Sequence, residues 1–252
     1  MGSDVSNNKN SQGKLYGISR ITKTISERHF QFIIFLSISL VLFSFTVILF
    51  VSDPLIFQPY LGNINPILAI AIITLLGVVL LGYLLSLGWF DIFKRENLKG
   101  LLISSILALP FALAAITLDF NFPYPEDINV LFPKSLLFYP TAGFVVEILF
   151  HILPLALLLL LFTSLFKNAN RERIILACIF IIAIIEPVYQ IRFIGGQPLW
   201  IVASEIIRLF LFSFVQLNIF KRYDFVSMYS FRLVYYFLWH ILWGSIRLTI
   251  LF

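Results

Sequence analysis

Hydrophobic and polar positions along this chain come in long blocks, without the two-residue period of a half-buried strand. Apolar runs cover about 30–51, 64–92, 98–118, 137–166, 174–193, 199–220 and 226–250, and short polar, glycine- or proline-bearing stretches separate them. About 20 apolar residues, rising about 1.5 Å each, cross a hydrocarbon core of roughly 30 Å as a helix. Inside lipid the backbone has to pair with itself. The pattern therefore predicts an all-α polytopic membrane protein, a bundle of about seven transmembrane helices in one domain. The short alternating segments of a membrane β-barrel are missing. No internal repeat stands out, and neither do the paired broken helices of many transporters.

Composition agrees with this pattern: 60% of the residues are hydrophobic, 12% are charged and the mean hydropathy is +0.97. Residues 1–28 are polar, rich in Ser and Asn, and are expected to form a cytoplasmic tail, disordered or lying on the membrane surface, ahead of a transmembrane domain at 29–252. They do not have the form of a signal peptide. The first apolar run begins late and ends at Ser52-Asp53 without a small-residue cleavage site, so it is expected to stay as the first helix.

Charge sets the expected orientation. Lys9, Lys14, Arg20, Lys23 and Arg28 precede the first run, and the loops "KRENLK" (94–99), "KNANRER" (167–173) and "KRYD" (221–224) are also basic. The alternate loops, "SDP" (52–54), "DFNFPYPEDINVLFPK" (119–134) and "RFIGGQP" (192–198), hold few basic residues. The positive-inside rule then predicts a multi-pass protein of the cell membrane with its N-terminus inside and its C-terminus outside. This topology accounts for the net charge of +5, so no nucleic-acid surface is inferred and the lipid bilayer is the expected environment. Cys178 is alone in its run and reads as a small buried hydrophobe.

The ionisable residues inside the apolar runs carry the chemistry. A charge near the bilayer centre costs about 2.5–3.5 kcal/mol on insertion scales, so each needs a partner or a wet cavity. Glu147 and His151 share a helix face four residues apart, Glu186 lies in the next run and His240 in the last. Counted along their runs, all four fall in one layer between the middle and the outer half. Pro154 and Pro187 each remove a helix hydrogen bond beside this layer and predict kinks there. Two Glu and two His are an adequate ligand set for zinc or a similar divalent metal, and the same groups suit metal-free general acid–base work. The packing alternative is interhelical pairing, such as Glu147 with His240 and Glu186 with His151. Of the other polar residues, Glu205 and Arg208 read as a structural ion pair facing the bundle. Gln190 is placed either to orient Glu186 or to cap its helix near the interface, Arg232 and Arg247 to snorkel towards a surface, and His29 to sit at the interface. A retinal-type photoreceptor is disfavoured because the last run holds no lysine.

The segments "VEILFHIL", "IIEPVYQ" and "YDFVSMYSFRLVYYFLWHILWG" resemble, in order and spacing, the CAAX protease and bacteriocin-processing (Abi) family of intramembrane endopeptidases, over roughly 137–250. That family carries EExxxR, then FxxxH, then HxxxN or HxxxD. Glu147 matches the second glutamate and His240 the last histidine. Val146, His151, Ile182, Glu186 and Gly244 stand where the first Glu, Arg, Phe, His and Asn/Asp would be. The resemblance implies an intramembrane protease, with Glu147 or Glu186 as base and His151 and His240 as metal ligands or oxyanion donors, acting on a membrane-embedded peptide. The outer depth of the layer argues against a prenylated cytoplasmic substrate. Two further classes stay open: an inactive relative serving as scaffold or subunit of a membrane complex, and a proton or ion pathway.

Overall fold

A computed structural model describes the backbone of residues 4–190 and 198–252, and the side chains within that range from residue 27 onward. Apart from short 3-10 turns and one helical turn at Gln58–Leu61, the described chain consists of α1 (Asp4–Ser52), α2 (Pro66–Ser86), α3 (Leu98–Asn121), α4 (Ser135–Val146, Glu147–Ile152 and Leu153–Leu165), α5 (Arg171–Ile182), α6 (Ile185–Gln190), α7 (Leu199–Arg222) and α8 (Phe225–Tyr236, Phe237–Trp243 and Gly244–Leu251). The middle stretches of α4 and α8 are π-helical. Among the described residues six helices are long and apolar enough to cross a membrane. The protein is thus an all-α, multi-pass membrane protein.

Three boundaries differ from the sequence expectation. The polar segment at the start lies within α1, which begins at Asp4 instead of near residue 30. α2 stops at Ser86 and not near 92, because Gly88 turns the chain at φ +66, where a side chain would be strained. The residues that follow dock on the middle of α1 and the start of α8: Phe225 N donates to the Asp91 carbonyl at 3.0 Å, and Gln31 Oε1 accepts from Ile92 N at 2.7 Å. The fifth run, expected at 174–193, is two helices, α5 and α6. Pro187 has no amide for the Ala183 carbonyl, and the chain breaks at residues 183–184. The loop at 192–198 lies, apart from Pro198, outside the described residues.

Packing follows small residues. Gly100, Ser104, Ala108, Ala112 and Ala115 form a buried stripe along α3, against which α8 lies. A Cβ on Gly100 would come within 2.8 Å of Ser227 Oγ, so the two helices approach as closely as glycine permits. In lipid, where apolar side chains gain nothing by leaving the solvent, such close backbone approach is a main source of helix affinity. α8 also packs on α4 and α7, and α5–α6 runs antiparallel to α7, with Lys221 paired to Glu172 at one end at 2.5 Å. These contacts bring α4, α6, α7 and α8 around one interior point.

Candidate functional site

Four helices each direct a polar side chain at that point. Glu147 and His151 come from the π stretch of α4, just before Pro154; the wider turn accommodates the missing amide and stacks the two side chains on one face. Glu186 comes from the first turn of α6, immediately after the break. Gln216 and Ser213 come from α7, and Arg232 from α8. Glu147, His151, Ser213 and Gln216 have no exposed surface, Arg232 is 1% exposed and Glu186 3%, so the cluster is sealed. Gly143 lets α8 approach α4 here: a Cβ on it would sit 3.4 Å from Arg232 Cδ.

Arg232 organises the cluster. Its Nε donates to Glu147 Oε1 at 2.5 Å, and its two terminal nitrogens hold both oxygens of Glu186 at 2.9 Å each. Nη1 also donates to the Tyr236 hydroxyl at 3.1 Å, and Nη2 to Gln216 Oε1 at 3.0 Å. A guanidinium has five N–H groups, and each has an acceptor here. Gln216 Nε2 donates to Glu147 Oε1, Ser213 Oγ to Glu186 Oε2 at 2.8 Å and Gln190 Nε2 to Glu186 Oε1 at 3.1 Å. His151 lies between the carboxylates, with Nδ1 3.2 Å from Glu147 Oε2 and Nε2 3.5 Å from Glu186 Oε2. Neither ring nitrogen, nor Glu147 Oε2, has a partner of ordinary hydrogen-bond geometry.

Of the four residues the sequence singled out, the structure gathers Glu147, His151 and Glu186 and leaves out His240. The proposed Glu147–His240 pairing is therefore absent, while His151 does face Glu186. His240 Nδ1 instead meets Asn129 Oδ1 at 2.7 Å, and its ring stacks on Tyr139 with centroids 4.3 Å apart. Arg232 and Arg247 do not snorkel; both are fully enclosed and bound to carboxylates. Gln190 does orient Glu186 and Cys178 is buried, as the sequence predicts. The sequence reading directs Arg232 to a surface and does not single out Gln216, although a polar side chain within an apolar helix signals a partner there.

A divalent metal does not suit this arrangement. Between Glu147 and Glu186, where a cation would sit, lies the Arg232 guanidinium, and the fourth donor that the sequence offered is elsewhere. Among the described residues no three His, Cys, Asp or Glu side chains are placed to share a metal ion.

A second buried cluster lies towards the opposite end of α8. Arg247 holds Asp119 through Nε at 2.7 Å and Nη2 at 2.8 Å, and also binds the carbonyls of Tyr124 and Pro125. Trp243 Nε1 donates to Asp119 at 2.6 Å. The Tyr124 hydroxyl donates to Glu205 at 2.6 Å, and Arg208 holds Glu205 and donates to Tyr235 at 2.8 Å. The Glu205–Arg208 pair is the one expected from the sequence, and Tyr124 ties the loop after α3 to it.

No protein-family model, characterised protein or solved structure matches the chain. The geometry of the central cluster therefore carries the functional reading.

Proposed function

We propose that this chain is a non-hydrolytic relative of the intramembrane proteases it resembles, acting as a scaffold or subunit of a membrane complex, with the layer that would hold a catalytic centre closed by a buried ion-pair knot. Arg232 is the observation that carries this reading. All five of its N–H groups are engaged, and it binds Glu147 and both oxygens of Glu186. A carboxylate so held is a weak base, and a guanidinium so held has no donor left for a developing oxyanion. The departures from the family pattern support this reading: His151, Glu186 and Gly244 stand where its Arg, His and Asn or Asp would be.

A hydrolase is the second reading, favoured by one observation: Glu147 Oε2 lacks a hydrogen bond and lies 3.2 Å from His151, a carboxylate–imidazole contact suited to general-base work. A through-going proton or ion pathway has less support. Phe35, Phe144, Phe220 and Phe225 fill the interior on the side of the basic loops.

Profiling peptide termini in membranes from cells that carry the wild type, E147Q or no chain separates the readings. A closed centre expects the same termini in all three, and it expects the triple variant E147Q/E186Q/R232M to replace the wild type in those cells. Termini that appear only with wild-type Glu147 would establish the hydrolase instead.

A further inference from the structure

Two counts on the central cluster point to a ligand that the side chains alone do not supply. The first is charge. Glu147 and Glu186 bring two negative charges, and Arg232 brings one positive charge. The groups facing them from the neighbouring helices are uncharged, Ser213 and Gln216 on α7, Gln190 on α6, and Tyr229, Tyr235 and Tyr236 on α8, and the charged pair beyond Tyr235, Arg208 with Glu205 on α7, sums to zero. α1 and α2 contribute no acidic or basic side chain over 30–52 and 66–86, and those of α5, Arg171, Glu172 and Arg173, stand at its far end. One negative charge is thus left over in a sealed interior.

The second count is of donors. Both nitrogens of His151 face carboxylate oxygens, at 3.2 Å and 3.5 Å. A neutral imidazole has one N–H and one lone pair, so in either tautomer an unprotonated nitrogen would lie beside an anionic oxygen. An imidazolium carries a proton on both nitrogens, so neither lone pair is left beside an anion, and it supplies the missing positive charge.

We propose that the central cluster is a proton-binding site: one proton held by His151 between Glu147 and Glu186 completes, with Arg232, a set of two cations facing two anions. The proton takes the place of the metal that the sequence led one to expect. It also fastens α4 to α6 across the break that follows α5, since His151 is the bridge from Glu147's helix to Glu186. This goes beyond the closed-centre reading and stands apart from it, because the charge count is the same whether or not the chain cuts peptides.

The test is nitrogen NMR of the full chain in detergent at neutral pH with labelled histidine. There are three histidines, so H29Q and H240Q assign the His151 signals. The expected wild-type spectrum shows two closely matched His151 nitrogens, the signature of imidazolium. E186Q, which removes one negative charge, is expected to split them into the widely separated pair of a neutral ring, and E147Q provides the same count should E186Q fail to fold. A neutral His151 in the wild type overturns the proposal, whichever carboxylate then holds the proton. Glu147-dependent peptide termini together with an imidazolium would overturn the closed centre and leave the proton site standing.

Discussion

The two buried clusters strung along α8 use the same residue types to different ends. The cluster around Arg247 and Arg208 is balanced: Asp119 and Glu205 face two arginines, and the loop after α3 adds backbone carbonyls and the Tyr124 hydroxyl. Its work is finished once the loop is tied down. The cluster around Arg232 has two acids for one arginine and an imidazole wedged between them, with three polar atoms lacking ordinary partners. Low dielectric makes satisfied polar networks rigid and incomplete ones costly, so the incomplete cluster is the place to look for a bound group or a function.

The sharpest way to break this comparison is R232M. It leaves Glu147 and Glu186 facing each other in a sealed interior, and removing one partner of a buried ion pair costs about 3–5 kcal/mol. The loss should be the largest of any single substitution discussed here, read as a fall in unfolding midpoint in detergent. The triple E147Q/E186Q/R232M should recover most of it, because removing a whole buried network is often nearly neutral. A triple variant no better than R232M would mean that shape, and not charge, holds the cluster.

R247M tests the balanced cluster. Asp119 would lose its cation but keep the Trp243 indole and the Tyr124 amide as donors. The expected loss lies at the lower end of the same range, about 3 kcal/mol, because Asp119 keeps those two donors. Protease nicking of the loop at 122–134 should rise in step. An R247M loss as large as that of R232M would remove the distinction between the two clusters.

The sequence made the architecture legible, because twenty-residue apolar blocks have few other physical solutions. It also marked Glu147, His151 and Glu186, since acids and imidazoles are too costly in lipid to occur there without partners. It misassigned His240, because a count along a helix gives depth but not the rotation that turns that side chain towards Asn129. Arg232 was missed for a related reason: long basic side chains near a helix end can reach water, and only the fold shows that the aliphatic stem passes Gly143 into the interior. The α3 stripe from Gly100 to Ala115 was equally readable as small residues every third or fourth position, but its partner helix was not.

The exposed pair of Lys134 with Asp53 calibrates the buried ones. Lys134 Nζ donates to Asp53 Oδ2 at 2.8 Å, with both side chains open to solvent. That hydrogen bond holds the Asp53 carboxyl below its usual range. A folded value below the unfolded one means that the pair's contribution is fully present above the ordinary carboxylate range and is lost as pH falls through the lowered folded value. D53N should therefore lower the unfolding midpoint slightly at neutral pH. The gap from wild type should close both in acid and in high salt, since exposed pairs are weak and screened. Midpoints measured for both proteins along a descending pH series, at low and high salt, check this. A gap that persisted in both acid and salt would place Asp53 with the buried clusters, and exposure would no longer be what separates the pairs that hold this protein together from those that decorate it.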